Sequence, residues 1–289
     1  MRKITAILLL VCLLLCGCAA KPTAPVVPPI QEQLWVHFID VGQADSILLE
    51  CDGKFALIDG GNDADGTAVA AYLAMQGVDK LDLVVATHPH EDHIGGLADV
   101  IETIPVDAVW TSSIPNNTNA VRNFLKSVGN RGLEAEQPKV GQVFNLGTAT
   151  ITVIGPVKEY DDINNLSLVL MVQHGDNRFL LTGDMERIAE NDLVESGADL
   201  KADVLKVGHH GSEGSSGYIF VREVMPAYAV ISCGKDNSYG HPDEATLSRF
   251  RDAEASVLRT DEYSTIVARS DGTDIRFMWG AEHIFRDAA

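Results

Sequence analysis

The stretch Thr87-His88-Pro89-His90-Glu91-Asp92-His93 places three histidines and two carboxylates directly behind the apolar run at residues 81–86. Such a run is typical of a buried strand, so the cluster is predicted to lie in the loop at a strand's carboxyl end. Imidazoles and carboxylates are ligands that zinc, manganese and iron accept. Three imidazoles in a core would each need a hydrogen-bond partner. The pattern therefore favours a binuclear metal site over a polar surface loop.

Polar side chains follow three further apolar strands in the same way. Asp184 comes after residues 179–181, the pair His209-His210 after residues 203–207, and His241 lies in a later loop. This recurrence indicates that several strand ends converge on one polar site, as ligand sites do in layered α/β folds. Taken singly, Asp184 could instead cap the following helix, and His241 could be an ordinary turn residue.

Hydrophobic periodicity predicts blocks of strands flanked by helices. Helical patterns cover residues 67–76, 96–104, 120–128, 185–195 and 244–252, and an Asp52-Gly53 turn joins two early strands. We expect an α/β fold of two sheets sandwiched between helices, folded as a single domain over residues 31–289.

The first residues have a different character. A positive start at Met1-Arg2-Lys3 precedes an apolar run over residues 4–15, and Leu15-Cys16-Gly17-Cys18 resembles a bacterial lipobox. This pattern predicts a lipoprotein signal over residues 1–18, with Cys18 as the lipidated residue, although simple signal cleavage is an alternative. Residues 19–30 are proline-rich and are predicted to be a tether. The expected location is extracytoplasmic, anchored to a bacterial membrane only through Cys18.

The chain carries 41 acidic and 22 basic residues, a formal net charge of −19. Such a field repels polyanions, and no basic run is present, so strong nonspecific nucleic-acid binding is not expected. Outside the signal and Cys18, the cysteines are Cys51 and Cys233. Their location would permit a disulfide, but two buried free thiols fit the sequence equally well.

The histidine cluster, together with Asp184 and a later histidine, resembles the metallo-β-lactamase superfamily and its αββα four-layer sandwich. Over residues 34–278 the chain is more specifically similar to the hydrolase domain of ComEC-type DNA-uptake proteins. The motifs that carry this similarity are Phe38-Ile39-Asp40-Val41-Gly42-Gln43-Ala44-Asp45-Ser46, Leu57-Ile58-Asp59-Gly60-Gly61, Asn164-Asn165-Leu166-Ser167-Leu168-Val169-Leu170 and Lys206-Val207-Gly208-His209-His210-Gly211-Ser212.

The resemblance implies a ligand set for two divalent ions, zinc or manganese. His88 and His90 would bind one ion, Asp92 and His93 the other, and Asp184 would bridge them. His209 or His210 would complete the second site, and the sequence leaves the choice between them open. Asp40 and Asp59 are expected to orient ligands, with capping or turn formation beside glycine as the alternative.

The sequence differs from the pattern of the similar proteins at two positions, and it lacks their membrane channel. Many relatives have a further histidine ligand before the bridging aspartate, whereas here only His174 lies in that interval, in a predicted hairpin turn. The first metal site is therefore expected to be poor in ligands. Ala44 stands where relatives usually have glycine. The chain has no multi-span membrane channel, so a role in DNA transport does not transfer with the domain.

The expected function is a metal-dependent phosphodiesterase or nuclease. Asp92 could serve as a proton shuttle, and the predicted donors to a phosphate oxygen are His210, Ser212, Asn237 and His241. One alternative is hydrolysis of a cell-wall or small-molecule phosphodiester such as a choline-phosphate ester, for which Trp110 and Tyr239 are the candidate aromatic contacts. Another is a lipoprotein that binds a ligand or metal without catalysis.

Overall fold

The computed structural model describes residues 33–280. The predicted signal, the lipidation of Cys18 and the tether lie outside the described residues. The strands of the described part are β1 (Leu34–Phe38), β2 (Ile47–Cys51), β3 (Lys54–Ile58), β4 (Leu83–Ala86), β5 (Val109–Thr111), β6 (Ala135–Glu136), β7 (Val143–Leu146), β8 (Ala149–Gly155), β9 (Val169–His174), β10 (Asn177–Leu181), β11 (Val204–Lys206), β12 (Tyr228–Ile231), β13 (Ser256–Arg259), β14 (Ile266–Ser270) and β15 (Ile275–Trp279).

The helices lie between these strands, mainly where apolar periodicity predicts them. They are α1 (Gly66–Met75), α2 (Glu91–Ile94), α3 (Leu97–Thr103), α4 (Asn119–Asn130), α5 (Arg187–Glu195), α6 (Tyr218–Val224), α7 (Glu244–Asp252) and α8 (Thr260–Tyr263). Helices α2, α6 and α8 were not predicted. Among residues 33–280, no helix is long and apolar enough to cross a membrane.

Local sequence explains α4 in particular. Thr118 is its N-cap, and the side-chain oxygen accepts a hydrogen bond from Val121 N at 3.2 Å. This contact satisfies one of the amide groups that a helix start leaves unpaired. Val121, Phe124 and Val128 recur on one face and are buried against the first sheet. Capping and amphipathic spacing thus agree on both the extent of the helix and its orientation.

The strands form two sheets. The first has the order β15-β14-β1-β2-β3-β4-β5-β6, and the second β13-β12-β11-β10-β9-β8-β7. Strands β3, β4 and β5 run parallel to one another, and so do β10, β11, β12 and β13, whereas β2-β3 and β9-β10 are antiparallel pairs. Parallel neighbours end at the same edge of a sheet, so the loops after β10 and β11 lie together in the second sheet. The packing of the two sheets brings these loops to the loop after β4 in the first sheet.

Three apolar clusters define the layers. The central cluster joins inward-facing residues of both sheets, such as Val36 and Phe38 from β1 and Ile151 from β8. A second cluster packs α1, α3 and α4 on the outer face of the first sheet, and a third packs α5, α6 and α7 on the second. The predicted αββα sandwich in a single domain is therefore confirmed.

Both remaining cysteines are buried free thiols. Cys51 lies at the end of β2, and Cys233 Sγ donates to Asp261 Oδ1 at 3.2 Å. Burial and the neighbouring carboxylate raise the pKa of Cys233 to about 12. The thiol is therefore protonated at neutral pH and is a poor nucleophile.

Candidate metal centre

The histidine cluster begins where β4 ends. Thr87 and His88 are buried, His90 is the residue that precedes α2, and Asp92 and His93 belong to α2 itself. The helix can approach the β3 loop closely because Gly96 has no side chain. A Cβ atom at this position would lie only 2.1 Å from Gly60 O. The glycine after the cluster thus allows α2 to pack against the β3 loop.

A first ligand group contains His88, His90 and Asp184. His88 Nε2 lies 3.1 Å from His90 Nδ1 and 3.8 Å from Asp184 Oδ2, and the three ligand atoms all lie within 4.8 Å of one another. Ligand atoms bound to one ion at about 2.1 Å are separated by about 3–4 Å. The group therefore has nearly the spacing that one divalent ion requires.

A second ligand group contains Asp92, His93, Asp184 and His210. His210 Nε2 lies 3.2 Å from Asp92 Oδ2 and 3.7 Å from Asp184 Oδ1. His93 Nε2 lies 3.3 Å from Asp184 Oδ1. All four ligand atoms lie within 4.8 Å of one another. Asp184 thus presents Oδ2 to the first group and Oδ1 to the second, the position of a bridging carboxylate.

Two buried atoms at the centre have no hydrogen-bond partner among the described residues. They are His93 Nε2 and Asp184 Oδ1, which lie close together without hydrogen-bond geometry. A buried polar atom without a partner costs free energy unless a water or ion satisfies it. The donor set of imidazoles and carboxylates suits zinc, manganese or iron. The residues therefore fit divalent ions.

The other ring nitrogens of the candidate ligands are fixed by hydrogen bonds. His93 Nδ1 donates to Asp59 Oδ2 at 2.8 Å, and Asp59 in turn accepts from Thr87 N at 2.8 Å and Thr87 Oγ1 at 2.7 Å. His210 Nδ1 donates to the Ser232 carbonyl at 3.0 Å. These contacts leave Nε2 of both histidines for a metal. Asp59 thus lies where it can orient the His93 ring.

The charges of the site are strongly coupled. Burial disfavours the charged form of His93, yet the carboxylates of Asp184 and Asp59 outweigh it and raise its pKa well above the usual range. The pKa of Asp184 is correspondingly well below its usual range, because His93 and His210 outweigh the effect of its burial. Burial and the neighbouring His93 lower the pKa of His88 well below the usual range.

A buried ion pair lies behind the second ligand group. Lys206 Nζ lies 2.7 Å from Asp45 Oδ2, and the side chains are 0% and 1% exposed. Asp45 Oδ1 lies 3.5 Å from His210 Nδ1, and the Asp45 amide donates to the Asp92 carbonyl. The pair thus contacts two candidate ligands from behind and joins the two sheets. Neither residue was assigned a role from the sequence.

The structure distinguishes the two adjacent histidines that the sequence could not separate. His210 belongs to the second ligand group, whereas His209 lies outside both groups, so the structure favours His210 for the ligand position that the sequence left open between them. His209 Nδ1 donates to Glu186 Oε1 at 3.1 Å, and its Nε2 lies 3.8 Å from Asp184 Oδ2. Both histidines have positive φ angles, 49° and 52°, which turn the successive rings in different directions.

Other predicted residues have different contacts. Asn237 uses its side-chain amide within its own loop, where Nδ2 donates to the carbonyls of Gly234 and His241 and Oδ1 accepts from the amides of Tyr239 and His241, so it does not present a free donor to a substrate. Ser212 Oγ accepts from Gly214 N. Asp40 is exposed and accepts from Gly42 N at 3.2 Å, the turn contact that the sequence left as the alternative.

The remaining candidates divide between the cleft and the core. His241 lines a cleft of about 290 Å³ with Gln43, His90, Asp92 and Tyr239. Trp110, in contrast, is 3% exposed and packs in the core between the sheets, so it cannot contact a substrate. His174 belongs to neither ligand group. Its Nδ1 makes a 2.8 Å hydrogen bond with Ser270 Oγ.

Sequence reasoning missed Asp45, Lys206, Glu186 and Gln43. Lys206 carried a usable signal, because it is a charged residue within the apolar strand β11 and buried lysines need a partner. Its partner could not be named, because Asp45 is distant in the sequence. Glu186 and Gln43 have no distinguishing pattern of their own.

A family model described as the metallo-beta-lactamase superfamily matches residues 39–235. ComE operon protein 3 of Bacillus subtilis is 30% identical over 261 residues, which cover 84% of this chain and 34% of that protein. Competence protein ComA of Neisseria gonorrhoeae is 33% identical over 225 residues, covering 77% of this chain and 30% of that protein. The chain thus spans about a third of the length of these relatives.

Among solved structures, the metallo-beta-lactamase fold protein YhfI from Bacillus subtilis matches with a TM-score of 0.57 and 13% identity. The match covers 83% of this chain and 100% of that one. Igni18, a metallo hydrolase from Ignicoccus hospitalis, matches with a TM-score of 0.52 and 16% identity, covering 81% of this chain and 98% of the other. At such identities, these matches support the fold alone.

Proposed function

The chain belongs to the metallo-β-lactamase superfamily of hydrolases, and from this premise we propose that it is a metal-dependent phosphodiesterase that cleaves nucleic acid. The observation that carries the proposal is the position of Asp184. One carboxylate faces two ligand groups that together contain four histidines and a second aspartate. Two divalent ions held there would activate a water for attack and stabilise the negative charge that develops on phosphoryl oxygens.

The preference for a phosphodiester rests on the similar proteins. Competence proteins from Bacillus subtilis and Neisseria gonorrhoeae align with most of this chain, which supports a DNA-related substrate. The net charge of −19 disfavours a long cationic binding groove. We therefore propose that the enzyme engages a short or single-stranded segment through the metal centre and a few neighbouring side chains.

His241 is placed to donate a hydrogen bond to a phosphate in the cleft. Burial and the nearby His209 lower its pKa, which keeps the ring neutral at pH 7. Gln43 Nε2 donates to His241 Nδ1 at 3.4 Å, so the ring proton resides on Nε2. That N–H can donate to a phosphoryl oxygen in the cleft.

Asp92 is the candidate for proton transfer. Its side chain is 31% exposed and lines the cleft, whereas Asp184 is almost fully buried. A carboxylate that both faces the ligand group and reaches solvent can carry a proton from the attacking water to the departing group. Within the second ligand group, the Asp92 carboxylate lies beside His210, with Oδ2 3.2 Å from His210 Nε2.

The predicted signal supports an extracytoplasmic enzyme. We propose that the protein is anchored to a bacterial membrane by a lipid on Cys18 and that residues 19–30 form the tether. Metabolic labelling with a radioactive or alkyne-bearing fatty acid tests this proposal. The wild-type chain should incorporate label and Cys18→Ala should not, and equal labelling would contradict the lipid anchor.

The catalytic proposal is tested with purified protein, metal-depleted and then loaded with Mn²⁺ or Zn²⁺. The substrates are bis(p-nitrophenyl) phosphate and single-stranded DNA. We expect hydrolysis that depends on added metal and is abolished by Asp184→Asn, with Asp199→Asn, an exposed aspartate outside the cleft, as the matched control. Hydrolysis of neither substrate at full metal loading would refute the proposal.

Two other readings have less support. A choline-phosphate esterase would need aromatic side chains around the quaternary ammonium, but Trp110, one of two candidates, is buried in the core. A non-catalytic binding protein would be expected to lack ligands, yet both groups are intact. Turnover of p-nitrophenylphosphorylcholine in place of DNA would favour the first reading, and metal binding without turnover the second.

A further inference from the structure

Tyr239 is an aromatic residue at the mouth of the metal cleft. Its side chain is largely exposed, at 71%, and it lines the cleft with His90, Asp92 and His241. Among the described residues that line this cleft, it is the only aromatic residue apart from histidines. A flat, apolar surface beside a charged reaction centre can bind a flat part of a substrate.

The ring of Tyr239 is arranged as a stacking surface. It lies over the ring of His241, with centroids 5.7 Å apart and an interplanar angle of 25°. The His241 ring in turn contacts His209 edge to face, with centroids 5.7 Å apart. His209 Nε2 lies 3.8 Å from Asp184 Oδ2. A series of three rings thus leads from the bridging carboxylate to the exposed tyrosine.

Asn237 makes this surface rigid. Its Oδ1 accepts from Tyr239 N and His241 N, both at 3.1 Å, and its Nδ2 donates to the carbonyls of Gly234 and His241. Gly234 N donates to Gln43 Oε1 at 2.9 Å, which ties the loop to the opposite side of the cleft. A stacking surface that is fixed before binding loses little conformational entropy when the substrate arrives.

We propose that Tyr239, supported by His241, stacks one unpaired nucleobase next to the phosphodiester that is cleaved. This inference rests on the proposed function and restricts it to single-stranded or frayed ends. Stacking on an aromatic side chain tolerates any base, because every base has a π-face, and needs no cationic groove. It therefore suits an acidic protein that acts on a polyanion. A quaternary ammonium, by contrast, is bound in a cage of several rings, and the described part of the cleft lining contributes a single tyrosine.

The test compares thymidylyl-thymidine with the same dinucleotide in which both bases are replaced by abasic tetrahydrofuran sugars. Tyr239→Ala should raise KM for the base-containing substrate roughly 5- to 100-fold and leave the abasic substrate unaffected. Tyr239→Trp should retain a low KM. The matched control is Tyr218→Ala, because Tyr218 is also an exposed tyrosine, at 60%, but lines a different groove.

A binding measurement separates this inference from the proposed function. A single-stranded oligonucleotide containing 2-aminopurine should show fluorescence quenching on the wild-type protein and not on Tyr239→Ala. Cleavage of both dinucleotides with equal KM in wild type and Tyr239→Ala would overturn the stacking role and leave the phosphodiesterase standing. Tyr239-dependent quenching without turnover would support stacking and refute the phosphodiesterase. A Tyr239-dependent KM for p-nitrophenylphosphorylcholine alone would overturn the nucleobase assignment.

Discussion

Lys206→Met should destabilise the protein by about 3–5 kcal/mol, the usual cost of removing one partner of a buried ion pair. Lys206 Nζ lies 2.7 Å from Asp45 Oδ2, and both side chains are at most 1% exposed. At this distance and an effective dielectric constant of about 20, the attraction is about 6 kcal/mol. Methionine fills much of the space of the lysine stem, so the loss of stability should come mainly from the unpaired charge of Asp45.

A double variant separates charge from packing. In Lys206→Met/Asp45→Asn, no uncompensated buried charge remains, and replacing both charges of a buried pair is often close to neutral. The double variant should therefore be more stable than Lys206→Met alone by about 2 kcal/mol or more, which marks the two residues as energetically coupled.

The assay is urea denaturation followed by circular dichroism, with chelator and again with saturating Mn²⁺. The matched control is Lys54→Met, which removes an ion pair to Asp82 at 2.8 Å in which the lysine is 51% exposed. Because solvent screens that pair, its loss should cost less than about 1 kcal/mol. A loss of similar size in Lys206→Met and Lys54→Met, or a double variant no more stable than Lys206→Met, would refute the reasoning.

Three further predictions concern Asp184 and Asp59 of the metal centre and the buried carboxyl group of Glu190. Asp184→Asn should reduce bound Mn²⁺ from two ions to at most one per chain and abolish the spin-coupled signal in electron paramagnetic resonance; two coupled ions would contradict its bridging role. Asp59→Asn, which alters the partner of His93 Nδ1, should weaken metal binding about 10- to 100-fold in a chelator competition. An unchanged metal affinity would contradict the role of Asp59 in orienting His93. Burial raises the pKa of Glu190 to about 7 from an ordinary 4.5. The stability that it contributes is present at low pH and lost as pH rises through 7, so relative to Glu190→Gln the wild type should lose up to about 3 kcal/mol between pH 5 and 8 in urea denaturation. Exposed Glu195→Gln is the control, and parallel pH profiles of wild type and Glu190→Gln would exclude the effect.

The fold could be predicted where local sequence and tertiary packing agree. The strand before His88 is apolar on both faces because the sheet is covered by helices on one side and by the second sheet on the other. Helix α6 was missed because apolar Tyr218 and Ile219 are exposed, which obscures the pattern of a buried face. Helix α2 has only four residues and begins inside the ligand cluster, so no periodicity could reveal it.

The candidate site was predictable only in part. Asp184 and His210 lie together because the strands that precede them, β10 and β11, are parallel neighbours, but their contact with the histidine cluster after β4 depends on how the two sheets pack. The different positions of His209 and His210 depend on two successive positive φ angles, which single-residue patterns do not indicate. The pairing of Lys206 with Asp45 depends on how the second sheet lies on the first, and this is a property of the assembled sandwich.

The two ligand groups contain different numbers of residues, and this difference predicts different properties for the ions that they would hold. The first group has two histidines and shares Asp184, whereas the second has His93, His210 and Asp92 as well as the shared carboxylate. His174 is the one histidine between the cluster and Asp184 in the sequence, and its Nδ1 makes a hydrogen bond with Ser270 Oγ. Catalytic metal sites keep open positions, while filled sites hold their ions more tightly. An ion held by the first group would therefore keep more open positions and would exchange more readily than an ion held by the second group.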